Sequence, residues 1–277
     1  MVTNTPDPET IAVTRPALRY YGGKWKIAPW IISHFPAHDS YLEPCCGAAS
    51  VLLQKPASFL ETIGDIDSNV VNFFRVLRDQ PDELILRIRL TPWAREEFEG
   101  SLERTGEEIE DARRFAIRSW MGIIGYTRFK NSWRSNKNPR GRWNPATKDL
   151  IDIEHLYNVA ERIKHVQIEN RSWDFLVQEY DGPGTLIYFD PPYPHETRTD
   201  KRVYSFEWSE EDHIKAAGLL RQAKGFVIVS GYACRLYCGL YEKHGWTRKD
   251  KKTQANSGSK RVESIWLSPR TRKALQW

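Results

Sequence analysis

Leu186-Ile187-Tyr188-Phe189-Asp190-Pro191-Pro192-Tyr193 is an apolar run of strand length that stops at an acid and two prolines. The prolines lack N–H donors and fix φ, so they end a strand of Thr185 to Phe189 in a rigid turn whose carbonyls are not tied up in a ladder. Ser40 to Glu43, Phe59 to Gly64, Val166 to Glu169 and Phe226 to Ser230 read as further strands. Helices are predicted over Lys24 to Phe35, from Ser50, over Ser68 to Arg78 and over Ser209 to Ala223. Strands alternating with helices predict an α/β fold, a Rossmann-like parallel sheet with helices on both faces. Two late extended runs, Trp246 to Gln254 and Arg261 to Leu267, flank the glycine-serine segment Asn256 to Ser259 and predict an antiparallel hairpin closing that sheet. An acidic turn at the carboxyl edge of such a sheet lies where ligands bind.

The rhythm breaks between Pro81 and about His165, where helical stretches Glu107 to Met121 and Leu150 to Lys164 flank a segment with no apolar period. The expectation is a catalytic domain of residues 1–80 and 166–277 with a mainly helical domain, 81–165, inserted in it. From Arg128 to Lys148 every charged residue is basic: Arg128, Lys130, Arg134, Lys137, Arg140, Arg142 and Lys148. Phe129, Trp133 and Trp143 are interleaved with them, and Asn136 and Asn144 stand close by. A solvated loop is the plain reading. Arginines beside aromatics and asparagines instead suit nucleic acid, where phosphate contacts position a protein and arginine or asparagine read base edges. Arg198 and Lys201, in the long segment after Tyr193, are expected beside the same backbone. The run Lys243 to Lys273 has ten lysines or arginines against two acids, and reads equally as a phosphate-facing surface or a solvated hairpin.

With 277 residues, 12% of them aromatic, the chain can bury a sizeable core, and 28% charged residues give it a strongly polar surface. No apolar run spans a bilayer and Met1 to Pro8 lacks the order of a signal peptide, so a cytoplasmic protein is expected. Cys45, Cys46, Cys234 and Cys238 are too few for a disulfide framework and lack zinc-site spacing, so they read as small buried hydrophobes and no metal is expected.

Two motifs carry chemistry. In the first, Tyr41-Leu42-Glu43-Pro44-Cys45-Cys46-Gly47-Ala48-Ala49-Ser50, a strand runs into a small-residue turn that lets a ligand approach the backbone. Asp65, 18 residues beyond Gly47, ends the next strand in Ile63-Gly64-Asp65-Ile66-Asp67, where an acid accepts ribose hydroxyls. The pattern of a triphosphate loop is absent, which disfavours ATP. In the second, the Asp190 carboxylate and the Pro191 carbonyl are two acceptors suited to both N–H groups of an exocyclic amine, and Tyr193 offers a stacking face worth roughly 1–3 kcal/mol per base. The plain alternative is a strand end entering a loop.

Taken in order, these motifs resemble the Dam-type DNA adenine methylases, the D12 class of the alpha group. Arg19-Tyr20-Tyr21-Gly22-Gly23-Lys24 resembles the family's amino-terminal cofactor segment, with Lys24 near the reacting centre. Glu43, Pro44, Cys45, Gly47, Ala48, Ala49 and Ser50 match its E-P-F-x-G-x-G turn, and Asp65-Ile66-Asp67 its ribose-holding D-I-N. Asp174-Phe175, 16 residues before Asp190, is similar to the pair that reads the cofactor's adenine, and Asp190, Pro191, Pro192 and Tyr193 are its D-P-P-Y. Asp174 reads equally as the cap of a helix from Phe175 to Tyr180. The resemblance implies S-adenosylmethionine as cofactor and methylation of adenine N6 in double-stranded DNA by base flipping, with no metal, by a monomer or weak dimer. Cys45 departs from the usual phenylalanine, Ala48 and Ala49 from glycines, and Asp67 from asparagine. Arg134 to Pro145 is similar but not identical to the R-x-N-x-x-G-x-F-N-x-P of GATC-specific members, so the target sequence stays open. The alternatives are N4-cytosine or RNA adenine methylation, or a catalytically decayed DNA-binding regulator.

Overall fold

The computed structural model of the chain describes residues 12–123, 125–126, 132–135, 153–198, 206–254 and 260–276. In chain order these form α1 (Ala28–Ile32), β1 (Ser40–Glu43), β2 (Leu60–Gly64), α2 (Ser68–Asp79), α3 (Pro81–Leu90), α4 (Arg95–Gly100), α5 (Glu108–Met121) and α6 (His155–Arg162). Then come β3 (Gln167–Glu169), α7 (Trp173–Tyr180), β4 (Thr185–Phe189), α8 (Glu210–Leu220), β5 (Phe226–Gly231), α9 (Arg235–Leu240), β6 (Thr247–Gln254), β7 (Lys260–Leu267) and α10 (Pro269–Ala274). One seven-stranded sheet runs β3-β2-β1-β4-β5-β7-β6. The first five strands are parallel, and β7 and β6 form the expected antiparallel end. This is the Rossmann-like α/β arrangement, closed by an antiparallel hairpin, that the alternation of strands and helices and the late extended runs predicted.

Why the sheet is covered on both faces is visible in single strands. Successive side chains point to opposite faces, so Leu186 and Tyr188 join one core while Ile187 and Phe189 join the other. Ile228, Ile265 and Leu267 face the first core, and Val227, Val229 and Trp266 the second. The helices α2 to α6 cover the first face. Phe73 and Phe74 of α2, Leu84 of α3, Phe98 of α4, Phe115 of α5 and Leu156 of α6 fall in one continuous apolar cluster.

Three elements differ from expectation. Of the helix expected over Lys24 to Phe35 only α1 is regular, because Pro29 allows a start and Pro36 prevents continuation. The segment from Ser50 makes only a tight turn, with Leu53 N donating to Ala49 O and Lys55 N to Val51 O, before Pro56 stops it. α7 starts at Trp173 with Ser172 at its N-cap position, so Asp174 lies in the first turn and is not the cap. The cap at α2 is Asp67, whose side chain accepts from Asn69 N.

Candidate active site

Strand order reverses between β1 and β4, and the crevice at their carboxyl ends is the place where sheets of this kind bind ligands. A cleft of about 820 Å3, counted out to its open mouth, lies there. Its walls are segments 20–24, 43–48 and 190–192, with Ser50, Asp65 and Ile66. The glycine-lysine segment, the small-residue turn, the acidic strand end and the Asp-Pro-Pro turn thus converge although 170 positions separate the first from the last.

Asp190 follows β4 directly. Its Oδ2 lies 2.8 Å from Lys24 Nζ, the two side chains being 17% and 8% exposed. Lys24 Nζ also donates to Gly22 O at 2.6 Å and sits 4.8 Å from the centre of the Tyr193 ring. Asp190 Oδ1 is buried and accepts no hydrogen bond among the described residues. A buried acceptor left unpaired costs about 1–3 kcal/mol, so this atom marks a place where a donor is missing. Burial pushes the Asp190 carboxyl up from its ordinary value, against the pull of the Lys24 ammonium. At the end of β1, Glu43 accepts from Tyr41 Oη at 2.8 Å and from Leu52 N at 3.2 Å. Burial raises its carboxyl to about 8, which keeps it protonated at neutral pH.

The small-residue turn is tight for a reason. Gly47 has φ +48, and a Cβ there would stand 2.9 Å from the Tyr20 ring, so a side chain fits neither the backbone nor the space. Asp65 ties this turn to β2: Oδ2 accepts from Gly47 N at 3.0 Å and Oδ1 from Asp67 N at 2.9 Å. Burial raises the Asp65 carboxyl to about 6. Segment 19–24 is held in place by residues after α5. Arg19 Nη1 donates to Gly122 O at 2.9 Å, and Nη2 to Ile123 O at 3.1 Å. Tyr126 N donates to Arg19 O, while the Tyr126 phenol donates to Asp67 Oδ2 at 2.7 Å.

Several expected residues stand elsewhere. Asp174 and Phe175 do not line the cleft. Lys215 Nζ lies 2.6 Å from Asp174 Oδ2, and its hydrogen bond holds that carboxyl at about 2. Phe175 is half-exposed under the Arg171 guanidinium. The preceding Trp173 faces the cleft in their place, together with Phe206 and Trp208. Position alone marked two of these: Trp173 begins the helix after β3, and Trp208 precedes the Ser209 capping box of α8. Tyr193 is buried behind the cleft, edge-on to Tyr232 at 4.8 Å with its phenol donating to Glu263 at 3.3 Å. Lys24 stands over its ring, so no stacking face opens to the cleft. Ala49 lies beneath the turn, fully buried. Arg198 is not presented to solvent: its side chain is 3% exposed and its guanidinium pairs with Glu207 at 2.6 Å. A carboxylate takes the charge that was expected to meet phosphate. Arg134 lies partly buried with its guanidinium 5.5 Å from the Trp93 ring. Arg128, Lys130, Asn136, Lys137, Arg140, Arg142, Trp143, Asn144 and Lys201 lie outside the described residues. No helix among the described residues is long and apolar enough to cross a membrane.

Comparison with known proteins places the chain among DNA methyltransferases. The type II methyltransferase M.MjaIII of Methanocaldococcus jannaschii is 25% identical, over 91% of this chain and 96% of its own length. The type II methyltransferase M1.LlaDCHI of Lactococcus lactis subsp. cremoris is 29% identical, over 82% of this chain and 84% of its own. The DNA adenine methylase of Escherichia coli K12 is 24% identical, over 75% and 77%. Residues 20–255, from the glycine-lysine segment to the end of β6, match one family model, and the chain belongs to the D12 class N6 adenine-specific DNA methyltransferase family.

Proposed function

We propose that the chain transfers a methyl group from S-adenosylmethionine to N6 of an adenine extruded from double-stranded DNA. The observation that carries this reading is the buried, unpartnered Asp190 Oδ1 beside the free turn of Pro191 in the crevice. The N6 lone pair of adenine is delocalised into its ring, so an acceptor set must take both N–H groups and leave the lone pair pointing at the donor. Asp190 Oδ1 takes one N–H and the Pro191 carbonyl the other. Lys24 holds Oδ2, which favours the ionised form of Asp190 against the effect of burial and fixes its orientation. When bound, S-adenosylmethionine supplies an electrophilic methyl group on a sulfonium. The residues of the small-residue turn fit the cofactor by letting it approach the backbone, and Asp65 fits its ribose hydroxyls. The proton that N6 sheds as it gains carbon passes to Asp190 Oδ1. Catalysis is then positioning and charge placement within a cleft, not covalent attack by a side chain. Extruding the base costs a few kcal/mol, which contacts in the cleft offset.

Replacing Asp190 with Ala removes the acceptor and the partner of Lys24. Transfer of labelled methyl to duplex DNA is expected to fall below detection, while retention on a DNA column stays near wild type. Ordinary turnover by Asp190→Ala, or wild-type transfer to cytosine N4 or to RNA in preference to adenine in duplex DNA, would overturn the reading.

A further inference from the structure

The hairpin of β6 and β7 does more than close the sheet. β7 pairs with β5 only as far as Gly231↔Ser264, at the carboxyl end of β5. Beyond that point β6 and β7 continue to pair with each other, from Lys251↔Glu263 to Gln254↔Lys260. At about 3.4 Å per residue the ribbon overhangs the sheet by roughly 10–14 Å. Because β4 and β5 are parallel, with Phe189 beside Val229, the overhang rises on the edge where Asp190 lies.

Its charge is one-sided. The two strands carry Arg248, Lys249, Lys251, Lys252, Lys260 and Arg261 against Asp250 and Glu263. Near the stem the balance is neutralised: Arg248 pairs with Glu242 and Asp250. On the overhang it is not. Lys251 and Lys252 are exposed and make no salt bridge among the described residues, and exposed Arg261 donates to the neutral Tyr232 phenol at 3.2 Å. Facing pairs share a sheet face, so Lys251 lies with Glu263 and Lys252 with Val262 on the opposite one. A ribbon with cations on both faces matches a duplex groove, whose two walls are phosphate strands, and a two-stranded ribbon is narrow enough to enter one. The ribbon is also fastened to the chemistry: Glu263 accepts from the Tyr193 phenol, and Tyr232 packs edge-on against that ring.

We infer that the overhanging β6–β7 ribbon is a phosphate-contacting arm that grips duplex DNA beside the extruded base, with Lys251 and Lys252 each neutralising a phosphate. The inference rests on duplex DNA being the substrate. The test uses the full chain and a fluorescent duplex of mixed sequence, with binding followed by anisotropy across salt concentrations. Each lost phosphate contact lowers the slope of log K against log salt by about 0.9. Lys251→Gln and Lys252→Gln are each expected to lower it by about that amount, and the double variant by about 1.8, with affinity at 0.1 M salt more than about tenfold weaker. S-adenosylmethionine affinity, measured by calorimetry, is expected to stay unchanged, which shows an intact cleft. A wild-type slope and affinity in the double variant overturn the arm while leaving the methylase reading standing. Equal losses on duplex DNA and single-stranded RNA also overturn it, since a groove-spanning ribbon needs two strands. A wild-type chain that binds no duplex at all removes both proposals together.

Discussion

Asp65 and Ala49 show how much of the cleft rests on single backbone and carboxyl states. Asp65 already accepts from two backbone N–H groups, and burial still lifts its carboxyl to about 6. In the proposed reading ribose hydroxyls donate to the ionised carboxylate, so that ligand binding would favour the deprotonated form. On that reading, affinity for S-adenosylmethionine is expected to change little near pH 7 and to weaken as pH falls through 6, approaching tenfold per unit. Glu43, raised to about 8, stays mostly protonated where Asp65 titrates and adds little to the change around pH 6. Calorimetry between pH 5 and 7.5 checks this, and Asp65→Asn is expected to be both weaker and flat; an unchanged wild-type affinity at pH 5 would remove Asp65 from the ribose site. Ala49 sits at φ +49, where a side chain costs about 1–2 kcal/mol and glycine almost nothing. It stands at a position where the resembled family has glycine, so the backbone keeps a glycine's conformation without the glycine. Ala49→Gly is expected to relieve about 1 kcal/mol of strain, of which the freer unfolded chain takes back about half, for a net rise in melting temperature of about 1–2 °C. A lower melting temperature would count against stored strain at this position.

At the level of elements, what was legible followed from period and punctuation. β1 and β4 are legible to the residue because each is a short extended run closed by proline just beyond its end, and the hairpin because a glycine-serine segment separates two extended runs. The order of motifs located the crevice, since a parallel sheet brings every strand's carboxyl end to one edge. What sequence could not supply was orientation around α7. Asp174 and Trp173 are neighbours in the chain but a helix turns successive residues by about 100°, so Trp173 lines the cleft and Asp174 does not, while Lys215 on α8 pairs with the Asp174 carboxylate and stands 5.4 Å from the Trp173 ring. Tyr193 was legible as a member of the turn and not as a buried ring, because its cover, Lys24 and Tyr232, comes from far along the chain. The hold on segment 19–24 was hidden for the same reason: Arg19 and Tyr126 are 107 positions apart and meet only through the end of α5.

Across the whole molecule, the cleft depends on a polar knot on the first face of the sheet that no local pattern announces. Glu61 of β2 receives Lys55 Nζ at 2.5 Å and Arg162, at the end of α6, at 2.5 and 2.9 Å. All three side chains are at most 9% exposed. Lys55 further donates to Ser58 and lies 4.6 Å from the Tyr41 ring, while Arg162 donates to Leu52 O at 2.9 Å. The knot therefore joins β1, β2, the turn that follows the cleft's small residues, and the helix that returns after the intervening segment. Burial alone would raise the Glu61 carboxyl, but Arg162 and Lys55 outweigh it and hold it below the ordinary value. Buried charges are worth little as a set against a packed apolar replacement, yet removing one member strands the rest, at a cost of about 3–5 kcal/mol. Glu61→Gln leaves two cations in a low-dielectric site with no anion, and is expected to lower the urea midpoint by an amount equivalent to that cost, with the slope unchanged. Replacing all three by apolar residues of similar volume, as in Lys55→Met with Glu61→Leu and Arg162→Met, is expected to recover most of the loss. If Glu61→Gln cost less than about 1 kcal/mol the three groups would have to be solvated, and if the triple replacement were as unstable as the single one, charge pairing could not be what Glu61 supplies.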